Sequence, residues 1–512
     1  MSVEETRPPE RSGIPLRSRT NRRRKRKRAL RSTSSSNAGK TLSFMYKEGA
    51  LENRMKSLQN DSTTVITRPG AREIDEHVVP LFRKLFRTSR DIPTELVALE
   101  TKFLERIDWP RSTYLFSKLV EATLPFTSVD DHAYHTPMID LSHPWKGSVT
   151  HQFQEDSKRN KRALPKAAGL PFGGTKRDAL QGAMQYNANT VLPSLDLGTC
   201  FSILPGFRTQ QSDPKDPKLR LVWSIPVHIL HLECMALDDA IDKTITGCNE
   251  SVDILPLYFD WHTDVLQKWM DSHSKVTQWV NLDASSYDST VHSSELADAW
   301  QYFAGDYEAV DLLAEYSAYA DLIMPEGIVT RTGGMPSGSK ITNLGDGYTN
   351  VRDLSEVLDR LKLDRYTECI LVNGDDITLG LSTRLSKVNL EKIDRYSRRN
   401  ISVDKSVLHT EGVWNSKIYA THDLKTRPMA RALNSLKYTE RRSNAITGGR
   451  EYVAIARTQI LWDVEEHTLF DPIAKEIRKY DEAHISELVG TSRWEEALEQ
   501  YVDDHDYVGT MD

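Results

Sequence analysis

The strongest constraint on the fold of this chain is the segment formed by residues 371–379, with the sequence LVNGDDITL. Aliphatic and β-branched residues flank an Asn-Gly pair, which is the strongest short signal for a β-hairpin. Two adjacent carboxylates, Asp375 and Asp376, follow at the predicted tip. Asp and Gly also occur in ordinary solvated turns. A buried tip of this kind needs a cation between its like charges, and carboxylate oxygens suit Mg²⁺ or Mn²⁺.

A second pair of carboxylates lies upstream, beside a predicted strand. Residues 278–283 read QWVNLD, and their apolar residues alternate with Asn281 and Asp283, as in a strand. Asp283 ends this strand, and Asp288 follows after a turn. Two such strands could bring Asp283 and Asp375 to one pair of ions roughly 3.5–4 Å apart, as in-line phosphoryl transfer requires. Alternatively, Asp283 only caps the element that follows it.

Between these two segments, residues 333–350 form a glycine-rich, proline-containing stretch that leads into a predicted helix. Thr342, Asp346 and Asn350 recur at i, i+4 and i+8, so on a helix they share one face. Glycine lets a backbone approach a ligand closely, and small polar side chains bind hydroxyl groups. The same composition is also common in a loop with no function beyond connection.

The three segments together resemble the palm of viral RNA-dependent RNA polymerases. D-x4-D at 283–288, S-G-x3-T at 337–342 and G-D-D at 374–376 match the blocks called motifs A, B and C, in that order. The chain is most similar to the enzymes of picobirnaviruses and partitiviruses, bipartite double-stranded RNA viruses with a comparable Pro-Ser-Gly-Ser run in motif B. The resemblance covers about residues 218–405.

The resemblance implies a catalytic set of four residues. Asp283 and Asp375 would bind two Mg²⁺ ions, with Mn²⁺ able to substitute, and Asp376 would support one of them. One ion activates the attacking 3′-hydroxyl and the other stabilises the pyrophosphate leaving group. Residues 402–406 resemble motif D, in which a lysine, here Lys405, protonates the pyrophosphate.

A nucleotide-binding set is implied in the same way. Residues 215–226 are similar to motif F, whose basic side chains bind the triphosphate, although a short alternation of charged and apolar residues also suits a solvated strand face. A carboxylate at Asp288 accepts a hydrogen bond from a ribose 2′-hydroxyl, where a reverse transcriptase places a bulky side chain. The implied nucleotide-binding residues are Lys218, Arg220, Arg208, Asp288, Ser337, Gly338, Thr342 and Asp346.

By the same resemblance, the fold is α+β: a right hand with an antiparallel-sheet palm, fingers and a helical thumb. The predicted segments are a disordered basic arm at 1–40, the N-terminal region and fingers at 41–275, palm motif A at 276–295, fingers helices at 296–332, palm motifs B, C and D at 333–425, the thumb at 426–493, and an acidic C-terminal tail at 494–512.

The two ends of the chain carry opposite charge. Residues 1–40 contain 13 Lys or Arg and 3 Asp or Glu, a net of +10, whereas residues 41–512 contain 54 and 70, a net of −16. The basic arm could bind RNA, serve as a nuclear localisation signal, dock on a capsid or be a solvated terminus. We expect contact with RNA or capsid, through Arg22, Arg23, Arg24, Lys25, Arg26, Lys27 and Arg28.

Composition excludes several other classes of protein. No stretch is long and apolar enough to span a bilayer, so no membrane partner is expected. The four cysteines include no C-x-x-C pair, which argues against a zinc site or a disulfide framework and suits a reducing compartment. A charged fraction of 27% is typical of a soluble globular chain.

The predicted function is RNA-dependent RNA synthesis for replication and transcription of a double-stranded RNA virus genome. The expected partners are the RNA template, nascent RNA, NTPs and a viral capsid protein, and the expected locations are the virion interior and the host cytoplasm. The alternative is a non-enzymatic RNA-binding or capsid-associated protein, in which the carboxylates would have no role. A reverse transcriptase is disfavoured by Asp288.

Overall fold

The structure is a computed structural model that describes a large part of the chain. The described residues are 55–60, 65, 67, 68, 70–111, 114–129, 148, 168–170, 175–183, 202–247, 254–256, 265–438, 457, 460, 461 and 463–480. The basic arm, with its predicted RNA-binding residues at 22–28, and the acidic tail lie outside these residues. No helix in the described ranges is long and apolar enough to cross a membrane.

The described part of the chain contains both helices and strands, and its central sheet is largely antiparallel, as expected for an α+β fold. The helices are α1 (Ala71–Glu73), which continues through a π-helical segment (Ile74–Val78) into α2 (Val79–Thr88), then α3 (Thr94–Leu104), α4 (Phe116–Thr123), α5 (Lys176–Ala183), α6 (Val227–Gly247), α7 (Val265–Ser272), α8 (Ser293–Ala304), α9 (Val310–Tyr319), α10 (Thr342–Leu361), α11 (Lys387–Tyr396), α12 (Met429–Lys437) and α13 (Phe470–Arg478). The strands are β1 (Leu204–Thr209), β2 (Leu219–Ser224), β3 (Ile254–Pro256), β4 (Gln278–Leu282), β5 (Leu322–Met324), β6 (Gly327–Val329), β7 (Thr367–Asn373), β8 (Asp376–Leu381), β9 (Val407–His409), β10 (Val413–Asn415), β11 (Ile418–Ala420) and β12 (Lys425–Thr426).

The central sheet has the strand order β3-β7-β8-β4-β9. The pairs β7–β8, β8–β4 and β4–β9 are antiparallel, as predicted for a palm. The edge pair β3–β7 is parallel, so the sheet is mixed at that edge. A parallel pair needs a crossover, and here a long stretch of chain separates the two strands.

Both faces of this sheet are buried, because alternate residues of its strands pack into different cores. Val280 and Val372 join a large core that also contains side chains of α8, α9 and α10. Trp279 and Leu371, each one residue away, pack instead around Trp269 of α7. The two-residue period of a strand explains this division. It also leaves β4 buried along its whole length.

A further hydrophobic core joins segments that are far apart in sequence. Apolar side chains of α2 and α3, such as Phe82 and Leu96, pack with Leu433 of α12 and Ile473 of α13. Lys437 at the end of α12 adds ion pairs to Asp75 and Asp108, at 2.6 and 2.9 Å. The predicted segment 41–275 therefore contributes to several of the described cores, and it shares this one with the predicted thumb.

The predicted fingers helices occupy only part of 296–332. Helix α8 begins before this segment, at Ser293, and α9 ends at Tyr319. The antiparallel hairpin β5–β6 follows at Leu322–Met324 and Gly327–Val329. Pro325 disfavours continuation of a helix, and Gly327 adopts φ of 142°, which suits the turn between the strands.

Candidate active site

The Gly-Asp-Asp segment forms the tip of a tight hairpin, so the predicted hairpin is confirmed. Strands β7 and β8 pair up to Asn373 and Asp376, which leaves Gly374 and Asp375 as the turn. Gly374 adopts φ of 59°, a left-handed conformation that glycine accommodates without a Cβ clash. Asn350 of α10 donates from Nδ2 to the carbonyl of Gly374 at 2.7 Å. Helix α10 therefore holds the turn that carries the carboxylates.

The sheet register brings the two predicted carboxylate segments together. Strand β4 pairs with β8 so that Leu282 lies opposite Ile377. Asp283 directly follows Leu282, and Asp376 directly precedes Ile377, so antiparallel pairing places the two carboxylates at the same end of neighbouring strands. Asp375 stands one residue further, at the tip. Residues 92 positions apart in the chain (283 and 375) thus reach one site.

The site concentrates negative charge. Burial, followed by the neighbouring charges of Asp375 and Asp283, raises the pKa of Asp376 to about 7, against the opposing effect of Lys417 and Arg220. Like charges in a partly buried cleft disfavour ionisation unless a cation compensates them.

Two basic side chains compensate part of this charge. Lys405 Nζ lies 3.2 Å from Asp283 Oδ2. On the other side, Arg220 Nη2 lies 3.9 Å from Asp375 Oδ2. Lys405 is in the predicted loop, where its backbone N–H donates to Ser402. The structure therefore brings the residues of the predicted motifs A, C, D and F around one cleft.

The side chains that line this cleft include possible ligands for a divalent metal ion. Among the described residues, no three Asp, Glu, His or Cys side chains form a cluster with the geometry of a ready metal site. The donors themselves are suitable, since Asp283, Asp375 and Asp376 offer hard oxygen ligands. The repulsion that raises the pKa of Asp376 is the interaction that a divalent cation would remove. The three aspartates therefore fit a divalent cation by their chemistry, and the sheet places them near one another.

The predicted triphosphate-binding residues lie on the β1–β2 hairpin. Lys218 and Arg220 are both exposed, and Leu221 is buried, as the alternation predicts. Arg208 of β1 is the cross-strand partner of Arg220. Partial desolvation of the guanidinium by the neighbouring protein would by itself lower the pKa of Arg220, but nearby carboxylates, Asp375 first among them, outweigh this effect and raise it. A fixed positive charge is thus held next to the Gly-Asp-Asp turn.

The predicted ribose-binding residues Asp288, Ser337 and Asp346 lie near one another and near Arg220. Asp288 lies in a 3-10 turn (Tyr287–Thr290), and its side chain hydrogen-bonds with Ser337. Burial and, to a lesser extent, the charge of Asp375 raise the pKa of Asp288 to about 6, against the opposing effects of Arg220 and Ser337. Asp346 is 4% exposed, and burial, then Asp288 and Asp375, raise its pKa well above the ordinary range.

Asp346 also carries an unused acceptor. Its Oδ1 is buried and finds no hydrogen-bond partner among the residues that the structure describes. A buried carboxylate oxygen in this state is costly unless a ligand, a cation or water satisfies it. Tyr287 donates from its hydroxyl to the Asp346 backbone carbonyl at 3.0 Å, which fixes this part of α10 beside the turn that carries Asp288.

Two other predicted nucleotide-binding residues have contacts with the protein itself. The hydroxyl of Thr342 donates to the carbonyls of Pro336 and Ser339, at 3.1 and 3.0 Å, so it shapes the loop before α10. Gly338 has φ of 115°, and a Cβ there would lie 2.5 Å from the carbonyl oxygen of Trp223. The close backbone approach that requires glycine is therefore an approach to β2.

Several residues of the site escaped the sequence-based predictions. Asn343 donates to Asn373 Oδ1 at 3.0 Å, and Asn373 donates to Ser416 Oγ at 2.6 Å, so a chain of side chains supports the Gly-Asp-Asp turn. Ser416 and Lys417 form the tip of hairpin β10–β11 with φ of 48° and 71°. Non-glycine residues in this conformation are strained, and such strain is concentrated at functional sites. The only local signal was Asn-Ser-Lys between two short apolar runs.

Helix α3 lies close enough to the site for its Lys102 to interact with the site's charges. Burial lowers the pKa of Lys102 on α3, and the charges of Arg106, Asp283 and Lys405 act on the same group. The position of α3 follows from the core that it shares with α12 and α13. Nothing in the local sequence of α3 indicates this proximity.

The fold and the site define a class: a right-hand nucleic-acid polymerase, in which an α+β palm presents paired aspartates to a nucleotide. Residues 145–398 match the family model of viral RNA-dependent RNA polymerase. The chain is therefore a member of the viral RNA-dependent RNA polymerases and is an RNA-directed RNA polymerase. No curated protein matches its sequence significantly.

Solved structures with the same fold include polymerases of a human picobirnavirus. The crystal structure of that virus's RNA-dependent RNA polymerase aligns with a TM-score of 0.68 and 16% identity, covering 91% of this chain and 92% of the other. Its insertion-loop deletion mutant aligns with a TM-score of 0.67 and 15% identity, covering 90% and 97%. At this level of sequence identity, the similarity establishes a shared fold and nothing beyond it.

Proposed function

We propose that this polymerase copies RNA by two-metal nucleotidyl transfer, for replication and transcription of a double-stranded RNA virus genome. The observation that carries the proposal is the β4–β8 register, which places Asp283 beside Asp376 and the Asp375 turn. Mg²⁺ bound by these carboxylates would supply activation of a 3′-hydroxyl and neutralisation of pyrophosphate. Mn²⁺, which favours similar oxygen ligands, is expected to substitute.

The basic residues of the cleft have separate roles in this proposal. Arg220, with Lys218 and Arg208, holds the triphosphate from the β1–β2 hairpin, since a guanidinium binds phosphate through paired hydrogen bonds. Lys405 lies on the opposite side, and its ammonium is half-exposed beside Asp283. From there Lys405 donates a proton to the departing pyrophosphate.

The direct test is incorporation of labelled NTPs on a single-stranded RNA template. Mg²⁺ is expected to support template-length product, EDTA to abolish it, and Mn²⁺ to restore it. Failure to form product with any template, either with or without a primer, would contradict the proposed activity of the isolated chain.

Asp288→Ala is expected to weaken discrimination between ribose and deoxyribose. The carboxylate of Asp288 accepts the hydrogen bond of the 2′-hydroxyl, and hydrogen bonds to charged groups contribute about 1.5–3 kcal/mol. The ratio of kcat/KM for an NTP to that for its dNTP should therefore fall roughly 10- to 100-fold.

The neighbouring Ser289 offers a matched control, because its hydroxyl donates to the Ser286 carbonyl at 2.8 Å. Ser289→Ala should leave the NTP/dNTP ratio at the native value. If Asp288→Ala also retains the native NTP/dNTP ratio, Asp288 does not discriminate ribose from deoxyribose.

Deleting residues 1–40 is expected to weaken RNA binding most strongly at low salt. Each lost contact with a single-strand phosphate should reduce the slope of log affinity against log salt by about 0.7. Filter binding at several salt concentrations measures this slope. Deletion of residues 494–512, which carry seven Asp or Glu and no Lys or Arg, is the control of opposite charge and should not reduce the slope.

An unchanged slope after removal of the arm would refute the RNA contact. The arm is then proposed to contact the capsid. Co-sedimentation with the viral capsid protein, compared between full-length and truncated chains, tests this contact. Contact with the capsid accords with the proposed locations, the virion interior and the host cytoplasm.

A further inference from the structure

A buried carboxylate lies outside the catalytic cleft, on helix α6. Glu233 is fully buried, and its two oxygens accept separate hydrogen bonds from the loop before α10. Ser339 Oγ donates to Oε1 at 2.6 Å, and the backbone N–H of Lys340 donates to Oε2 at 2.9 Å. Burial raises the pKa of the Glu233 carboxyl to about 7 despite these bonds. Each oxygen of the carboxylate thus holds one point of the loop.

A contribution to the stability of the fold does not by itself explain why a carboxylate is buried at Glu233. A buried carboxylate loses its hydration, and replacement of buried charged groups by apolar side chains of similar volume is often neutral or stabilising. Its geometry is nevertheless specific, because two directed bonds fix Ser339 and Lys340 relative to α6. Lys340 Nζ adds a third tie, 3.0 Å from Asp238 Oδ1 on the same helix.

The other side of the same loop is held by strand β2. The backbone N–H of Trp223 donates to the Ser337 carbonyl at 2.8 Å. Gly338 is in close contact with the Trp223 carbonyl, as described above. Strand β2 also carries Arg220, and α6 follows β2 after only Ile225 and Pro226. One stretch of chain, 219–238, therefore carries the phosphate-binding arginine and also holds the loop.

We propose that Glu233 is a positioning residue that sets the distance between the triphosphate-binding and ribose-binding groups of the site. Ser337 is the link, because it is held by β2 through its backbone and hydrogen-bonds Asp288 through its side chain. Without the Glu233 bonds, the loop keeps its contact with β2 but loses two of its ties to α6. The loop then shifts relative to α6, and the ribose contacts are displaced relative to Arg220. The inference rests on the proposed nucleotide roles of Arg220, Asp288 and Ser337.

Glu233→Met tests the inference, since methionine has similar length and no hydrogen-bonding carboxylate. We expect KM for NTPs to rise about 10-fold and the NTP/dNTP ratio to fall by a similar factor, the scale of lost directed hydrogen bonds. Affinity for template RNA, measured without nucleotide, should stay native. Glu233→Gln should be close to native, because its amide oxygen can accept from Lys340 N–H while its NH₂ donates to Ser339 Oγ.

Glu100 provides the matched control in another core. It is fully buried and accepts hydrogen bonds from the backbone N–H groups of Met429 and Ala430 at the start of α12. Glu100→Met is expected to lower the thermal unfolding midpoint while NTP KM and the NTP/dNTP ratio stay native. A general effect of removing a buried carboxylate would instead change both proteins alike.

The outcomes separate this inference from the proposed function. If the native chain makes no RNA, the proposed function fails first. If the native chain is active and a folded Glu233→Met retains native KM and NTP/dNTP ratio, the positioning role is refuted, as it is if Glu233→Gln is equally impaired. If Glu233→Met does not fold, Ser339→Ala provides the test, because it removes one of the two hydrogen bonds that Glu233 accepts. A native KM for NTPs and a native NTP/dNTP ratio in Ser339→Ala would refute the positioning role of Glu233.

Discussion

Asp375→Asn is expected to reduce RNA synthesis about 10³-fold or more, the scale on which loss of one charge-stabilising group slows phosphoryl transfer. The substitution keeps the size of the side chain and removes its negative charge from the turn between β7 and β8. Metal affinity falls when a charged ligand is lost, and of the two remaining carboxylates Asp283 already shares its charge with Lys405. Single-turnover incorporation of one nucleotide measures the chemical step directly.

A second readout does not depend on activity. A ligand that binds only the folded state raises its stability, so Mg²⁺ should raise the thermal unfolding midpoint of the native chain more than that of Asp375→Asn. Asp364→Asn makes the same chemical change at an exposed position in the turn before β7. That control should retain native synthesis and the native Mg²⁺ shift. Comparable synthesis by Asp375→Asn would remove Asp375 from the metal site.

Arg399→Met is expected to lower the free energy of unfolding by about 3–5 kcal/mol, the cost of leaving one member of a buried ion pair without its partner. Arg399 and Glu295 each have side chains that are 1% exposed, and they form two hydrogen bonds of 2.9 and 3.1 Å. Arg399 also donates to the Thr290 carbonyl and lies over the Tyr287 ring. Chemical denaturation measures the loss.

Removing both charges should lower the free energy of unfolding much less than removing one. In Glu295→Leu/Arg399→Met no buried charge is left unpaired, so most of the lost stability is expected to return. Arg72→Ala breaks an exposed ion pair with Glu76, 2.7 Å long, and should leave the unfolding midpoint unchanged. If the double variant is as unstable as Arg399→Met, packing around the guanidinium, and not the unpaired carboxylate, is the cause.

The Arg399 pair also bears on the site, because it supports the turn that carries Asp288. Tyr287 lies between the Arg399 guanidinium and α10, where its hydroxyl contacts Asp346 and Thr349. Folded Arg399→Met should therefore show weakened NTP/dNTP discrimination in addition to lower stability. Neither residue of the pair stands out in the sequence, since a lone Arg or Glu on a helix or loop is most often solvated.

Local patterns were enough to predict the elements that carry the catalytic residues. The hairpin around Asn373 and Gly374 follows from turn chemistry, and the strand before Asp283 follows from alternating polarity. The helical spacing of Thr342, Asp346 and Asn350 was borne out by α10. These signals are local because backbone conformation at a turn, and side-chain direction along a strand or helix, depend on residues within a few positions.

The sequence by itself therefore determined the family, the palm elements and the candidate carboxylates. The tertiary structure alone decided how they meet: Leu282 opposite Ile377, which brings Asp283 near Asp376, Lys405 paired with Asp283, and the loop between β2 and Glu233. Ser339 and Glu233 are 106 residues apart, and Arg399 and Glu295 are 104 apart. Contacts at such separation arise from packing of whole elements into shared cores and leave no local periodicity in the chain.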